Sequence, residues 1–169
     1  SLFLVMYSCE SNDDVVDDGS GGDSVVNFEI EKLEVLSLGN SDQSQPELVR
    51  FVSETEGVVV NSKQNTIDFL TINGTNLALS GSSVQITNDP NAECSSIDVN
   101  VNETIIAVVA TKGACERGEL YLVDAMTKEK YGPYELGYNP DAVDISVDDK
   151  FVVVVNEFDY DDGVEGGCD

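Results

Sequence analysis

Histidine is missing altogether from the 169 residues. A Ser-His-Asp triad, a His zinc site and a His general base are thereby excluded from this stretch. Basic residues are scarce: 8 Lys and Arg stand against 33 Asp and Glu, for a formal net charge of −25. A field of that sign repels nucleic acid and anionic lipid and favours cations or basic partners, although acidity also serves simply to keep a surface protein soluble. No segment carries sustained helical spacing. The apolar run Leu2 to Tyr7 is too short to cross a bilayer. The cysteines, at 9, 94, 115 and 168, show no CxxC or Cys/His spacing, so nothing argues for zinc.

What the chain does have is valine-rich strand pattern, repeated. Ala142 to Val147 alternates apolar with polar residues, Asp148-Asp149 makes a turn, and Phe151 to Asn156 is a run of valines expected to be buried on both faces. The same shape occurs at Leu48 to Val52 leading into Gly57 to Asn61, and at Ser96 to Val99 leading into Ile105 to Ala110. Aligned on Leu48, Ser96 and Ala142, the spacings are 96 − 48 = 48 and 142 − 96 = 46 residues, the period of a propeller blade at roughly 40 to 50 residues.

Further strands are expected at Thr66 to Ile72, Ser83 to Thr87, Gly118 to Asp124 and Tyr134 to Leu136, with Asn73-Gly74 as a turn. The fold class is therefore all-β, with two to three blades of WD40 or YVTN type at about residues 47–87, 94–137 and 140–169, the last incomplete. Ring closure takes about four to eight blades. Residues 28–169 thus read as the N-terminal part of a propeller that further chain, or another chain, completes. The strand in Val25 to Leu38 would belong to the closing blade, its partner strands lying elsewhere.

The start of the chain, SLFLVMYSC, has the form of a signal end, an apolar run followed by small Ser8 and then Cys9. With Glu10 to Asp14 behind it, it resembles a bacterial lipoprotein signal, and the acidic residues resemble the surface-export signal of Bacteroidetes lipoproteins. Cys9 would then carry the lipid, residues 1–9 being the signal and lipobox remnant. Residues 10–27, rich in Gly, Ser and Asp, read as a flexible acidic linker. Cys94 and Cys115 flank the open end of one expected hairpin, close enough for a disulfide, the alternative being two thiols.

Glu157, Asp159, Asp161 and Asp162 crowd a loop behind the last strand, a density of hard oxygen ligands that suits Ca²⁺, without the spacing of an EF-hand. A solvated acidic loop is the other reading. Asp141 and Asp144, at the start of a blade, could hold a metal that polarises a phosphoryl oxygen, or simply hold a turn. Asp68 and Asp124 stand close to the apolar pattern of their strands. Asn73-Gly74-Thr75 and Asn102-Glu103-Thr104 match the N-glycosylation pattern, which has meaning only in a eukaryotic secreted chain.

The succession Pro46 to Phe51, Val60-Asn61-Ser62, Thr66 to Leu70, Gly118 to Asp124, Gly137 to Val143 and Val155-Asn156-Glu157 resembles the choice-of-anchor I family, bacterial relatives of the mesenchyme-specific cell-surface glycoproteins. The likeness covers about residues 28 to 169 and departs after Asn156-Glu157. It implies an extracytoplasmic, surface-anchored β-propeller. Some bacterial members are labelled atypical alkaline phosphatases, and the animal relatives are associated with calcified skeletons. Two functions follow as expectations. One is a lipid-anchored binding or structural module for a protein or glycan, steadied by calcium. The other is a calcium-dependent phosphatase or phosphodiesterase.

Overall fold

The structure, a computed structural model, describes residues 3–12, 27–38, 44–113 and 115–157, of which 3–12 and 27–35 in backbone only. Every element among them is a strand. The strands are β1 (Phe3–Asn12), β2 (Asn27–Ser37), β3 (Pro46–Phe51), β4 (Glu56–Asn61), β5 (Thr66–Asn73), β6 (Asn76–Gln85), β7 (Glu93–Val99), β8 (Ile105–Thr111), β9 (Arg117–Asp124), β10 (Lys130–Tyr138), β11 (Pro140–Ile145) and β12 (Val152–Asn156). They form two four-stranded antiparallel meanders, β3-β4-β5-β6 and β7-β8-β9-β10, and two antiparallel pairs, β1-β2 and β11-β12; none of the sheets is closed.

The period-2 pattern decides how these sheets stack. Along β4, Val58 and Val60 point to one face and Val59 to the other, and all three are buried because both faces are covered. Val58, Val60, Ile67 and Phe69 of the first meander pack against Ile97, Ile106, Val108 and Val123 of the second. The opposite face of β8, Ala107 and Val109, packs against Val143 and Ile145 of β11. Val59, Leu70 and Leu77, on the far side of the first meander, meet Leu36 and Leu38 at the end of β2.

The repeat seen in the sequence is written into the hydrogen bonds. Side chains of one sheet reach the next sheet at offsets of one repeat: Arg50 Nε to Asp98 Oδ1 at 3.3 Å, Ile145 N to Asp98 Oδ2 at 2.8 Å and Val143 N to Ser96 Oγ at 3.3 Å. Asn102 bonds Asp149 in the same way at the other end of the strands. A Cβ at Gly118 would run into the Pro140 ring, so glycine is what lets the start of β11 lie against β9.

Several expectations change. Residues 10–27 are not all linker, since Glu10 to Asn12 belong to β1 and Asn27 to β2. The strand expected to belong to the closing blade is Asn27–Ser37, and its partner is β1 rather than a strand lying elsewhere. β6 begins at Asn76 and β10 at Lys130, earlier than the patterns at Ser83 and Tyr134. In each the register shifts partway, between Asp68 and Leu70 opposite β6 and between Tyr131 and Tyr134 in β10, so alternation breaks while pairing continues. The valine run of β12 is half-buried on one side and exposed on the other. Val152 and Val154 pack toward the second meander, whereas Val153 and Val155 are 58% and 56% exposed.

Candidate functional site

Because successive strands run antiparallel, the β4–β5 turn, the β6–β7 and β8–β9 connections, Asn139 and Glu157 all lie at one end of the stack. Local chemistry shapes each piece of this rim. Asn65 takes the left-handed conformation, φ 54°, at the end of the β4–β5 turn. Its amide donates to Ala92 O at 2.7 Å and accepts from Cys94 N at 3.0 Å, tying the first meander to the start of the second. Gln85 Nε2 closes the same corner on the carbonyls of Gln64, Asn65 and Thr87. Above them opens a cleft of about 460 Å³ whose walls include Lys63, Gln64, Thr87, Asn88, Asp89 and Glu93.

A charged network flanks the cleft. Lys112 Nζ lies 2.6 Å from Glu119 Oε1 and 3.7 Å from Asp89 Oδ2, and Tyr121 Oη donates to Glu119 Oε2 at 2.6 Å. Burial, and then its bond to Glu119, pushes the Tyr121 hydroxyl up to about 12. Lys112 is raised, chiefly by the hydrogen bond to Glu119. Burial pushes Glu119 upward, but the bonds from Lys112 and Tyr121 outweigh it and hold the carboxyl below its usual value. Each group is thereby fixed in its resting charge state near neutral pH, which suits an anchor better than a proton carrier.

A pH prediction follows. Glu119 has a lowered folded-state pKa, so its stabilisation is complete above the ordinary glutamate value of about 4.3 and is lost as pH falls through the lowered value. Glu119→Gln is expected to leave a shallower acid limb in a plot of urea midpoint against pH. An acid limb identical to wild type would show that the bond to Lys112 carries no such linkage.

Beside the first meander a second cleft, of about 280 Å³, is lined by Leu38, Asn61, Asp68, Leu79 and Ser83 among others. Asp68 accepts from Ser83 Oγ at 2.7 Å, Thr66 Oγ1 at 3.3 Å and Asn61 Nδ2 at 3.3 Å, all neutral donors. Both clefts are lined by amides, hydroxyls and carboxylates, groups that bind a polar ligand such as a peptide backbone or a polyol by hydrogen bonds.

The residues singled out in the sequence disperse. Cys94 and Cys115 do not pair. Cys94 is a free thiol, fully buried in the core between the meanders, and burial raises it to about 12. Cys115 is exposed on the β8–β9 connection and disulfide-bonded. The backbone irregularity between Cys94 and Ser96 is what turns Cys94 inward. Cys9 lies in β1.

Glu157 is exposed, its N–H bonded to Asn139 O at 2.8 Å, while Asp159, Asp161 and Asp162 lie outside the described residues. Among the described residues no three His, Cys, Asp or Glu side chains gather as metal ligands. Asp144 is exposed on the outer face of β11, opposite Val153, and Asp141 is exposed at its start. Asp124 caps the turn after β9 by accepting from Met126 N and Thr127 N, and the Thr127 bonds hold it below the usual carboxylate range. The Asn65 bridge and the Lys112-Glu119-Tyr121 network went unread. An Asn at the end of a four-residue polar turn is the one local sign of the former.

These features define an all-β protein of stacked antiparallel sheets with a polar rim at one end. No protein family and no curated protein matches the chain. Among solved structures it is similar to a functionally unknown protein from Desulfotomaculum acetoxidans, with a TM-score of 0.54 and 11% identity over 71% of this chain and 37% of that one. It is also similar to a protein from Lactobacillus plantarum, with a TM-score of 0.59 and 16% identity over 76% of this chain and 38% of that one. The chain thus spans little more than a third of each solved chain, and identities this low bear on fold alone.

Proposed function

We propose that the stacked sheets are successive blades of a β-propeller and that the chain is a binding or structural module at the cell surface. In this reading a lipid on Cys9 anchors it, and the rim at the β4–β5 and β6–β7 connections takes a protein or glycan partner. The observation that carries the reading is the one-repeat offset of the bonds between sheets, Arg50 to Asp98 and Ile145 to Asp98, which is the pattern of equivalent inner strands meeting side by side. The resemblance to the choice-of-anchor I family points the same way. The rim's partly buried ionisable groups, Lys112, Glu119 and Tyr121, are locked as ion pairs and hydrogen bonds, which favours binding over the alternative phosphatase or phosphodiesterase chemistry. Calcium on Glu157, Asp159, Asp161 and Asp162 belongs to the same proposal, as a structural ion.

The test is a calorimetric titration of the full chain with calcium, with p-nitrophenyl phosphate turnover followed in the same samples. Calcium heats that disappear in an Asp159→Asn, Asp161→Asn double variant, without turnover, are expected. Turnover abolished by EDTA would overturn the module reading in favour of the enzyme. Absence of calcium heats would remove the structural ion and leave the rim as the only site.

A further inference from the structure

We propose that Cys115 is joined to Cys168, and that this disulfide returns the acidic segment behind β12 to the rim. The inference goes beyond the binding reading above and stands whatever the rim binds.

The partner follows by exclusion. The chain has 4 cysteines, at 9, 94, 115 and 168. Cys115 is disulfide-bonded, whereas Cys94 is a free thiol enclosed in the core. Cys9 and Cys168 are left. Cys9 stands in β1 opposite Ile30, which is 36 − 30 = 6 residues along β2 from Leu36. Leu36 is where β2 meets the first meander, on the side turned away from the second. Six residues of strand carry Cys9 about 20 Å from that contact. Cys115 belongs to the second meander, on the connection between β8 and β9. A disulfide holds its two Cα atoms within about 7 Å, and the first meander stands between these two cysteines.

Cys168 starts from the right place. Asn139 ties two segments together at the rim: its side-chain oxygen accepts from Thr111 Oγ1 at 3.0 Å, and its backbone carbonyl accepts from Glu157 N at 2.8 Å. Thr111 ends β8, 115 − 111 = 4 residues before Cys115. Glu157 follows β12, 168 − 157 = 11 residues before Cys168. Both cysteines thus hang from one asparagine, on tethers that extend to about 13 and 36 Å. Residues 158–167 lie outside the described residues, and the bond fixes at the rim both the place they leave and the place they reach, with Asp159, Asp161 and Asp162 between.

The chemistry selects the same pair. Cys115 is exposed, so an external disulfide can reach it. The thiols of Cys115 and Cys168 give up two protons and two electrons, and the external disulfide takes them to leave as two thiols. Cys94 does not compete, because it is enclosed and burial keeps its thiol protonated. An exposed bond of this kind persists in an oxidising compartment, which accords with a module at the cell surface.

The test is peptide mapping of the full chain after folding with oxidised glutathione, alkylation without reduction, and trypsin. Cleavage after Lys and Arg puts the cysteines in separate peptides, 1–32, 64–112, 113–117 and 151–169. Mass spectrometry is expected to find 113–117 joined to 151–169, the two separating on reduction. Joining of 113–117 to 1–32 would overturn this pairing and the lipid on Cys9 together. An alkylated or glutathione-capped 113–117 would overturn the pairing alone and leave the anchor and the rim as they stand. Cys168→Ser should make Cys115 available to the alkylating reagent or to glutathione, and a Cys115 still bonded to another cysteine in that variant would sink the assignment. Reductant is expected to lower the Tm of wild type by about 5 to 10 °C and to leave that of Cys168→Ser where it is. A wild-type melt that reductant does not move would overturn the tether.

Discussion

Phe69→Ala is expected to lower stability by roughly 3 to 5 kcal/mol, the largest loss of any single truncation among the described residues. Phe69 is fully buried on β5, paired across the ladder with Val58, and is the largest fully buried side chain of the core. It stands between the meanders rather than within one, so its removal opens a cavity shared by two sheets that neither can close alone. Lys128 Nζ sits 3.5 Å from the ring centroid while also bonding Glu56 Oε1 at 3.2 Å, a cation held over an aromatic face from the second meander to the first. That contact adds about 0.5 to 2 kcal/mol, which Phe69→Leu would lose while keeping most of the volume. For a chain of 169 residues the alanine change corresponds to a fall in Tm of about 10 °C. Thermal melts at low protein concentration measure it, with exposed Phe51→Ala as the control that should move little. A fall of less than about 3 °C for Phe69→Ala would mean that the meanders do not share one cooperative core.

The strands themselves were legible because the signal is local: β-branched runs such as Val58 to Val60 and Ile105 to Val109 favour extended strands, and Asn73-Gly74 marks where one turns back. The repeat was legible for the same reason. What could not be read depends on which surfaces meet. Asp98 looks like any polar residue alternating with Ile97 and Val99, and only the stacking of β3 and β11 on either side of β7 gives it Arg50 and the Ile145 N–H as partners. Cys94 was expected near Cys115 because both flank the open end of one hairpin, but position along a hairpin does not fix the face, and the irregular step between Cys94 and Ser96 turns Cys94 into the core. The valines of β12 carry the same propensity as those of β4, but burial belongs to the neighbour that covers them, and among the described residues no sheet covers Val153 or Val155. The rim network was invisible for a related reason. Lys112, Glu119 and Asp89 lie on three different elements, and their charges acquire meaning only from a distance of 2.6 to 3.7 Å.

Asn65→Ala is expected to cost roughly 2 to 5 kcal/mol, nearly as much as the core truncation, although it removes only an amide. Two effects combine. The amide satisfies the carbonyl of Ala92 and the N–H of Cys94, both in buried positions, and alanine leaves each without that partner. The backbone stays in the left-handed region at φ 54°, which alanine tolerates less well than asparagine. Asn65→Gly separates the two, since glycine relieves the backbone but restores neither bond. The expected order of stability is wild type, then Gly, then Ala, read from urea midpoints. A glycine variant no better than alanine would remove the backbone contribution, and an alanine variant within about 1 kcal/mol of wild type would mean that the bridge is dispensable. Cys94 supplies a local readout of the same event. Its thiol is buried and free, held by the N–H that Asn65 accepts, so loosening the bridge should speed its modification by a small thiol reagent, followed by mass spectrometry at that residue. Faster labelling without any change in the Glu119-dependent acid limb would place the damage at the junction between the meanders, where the cleft is built, and not in the charged network beside it.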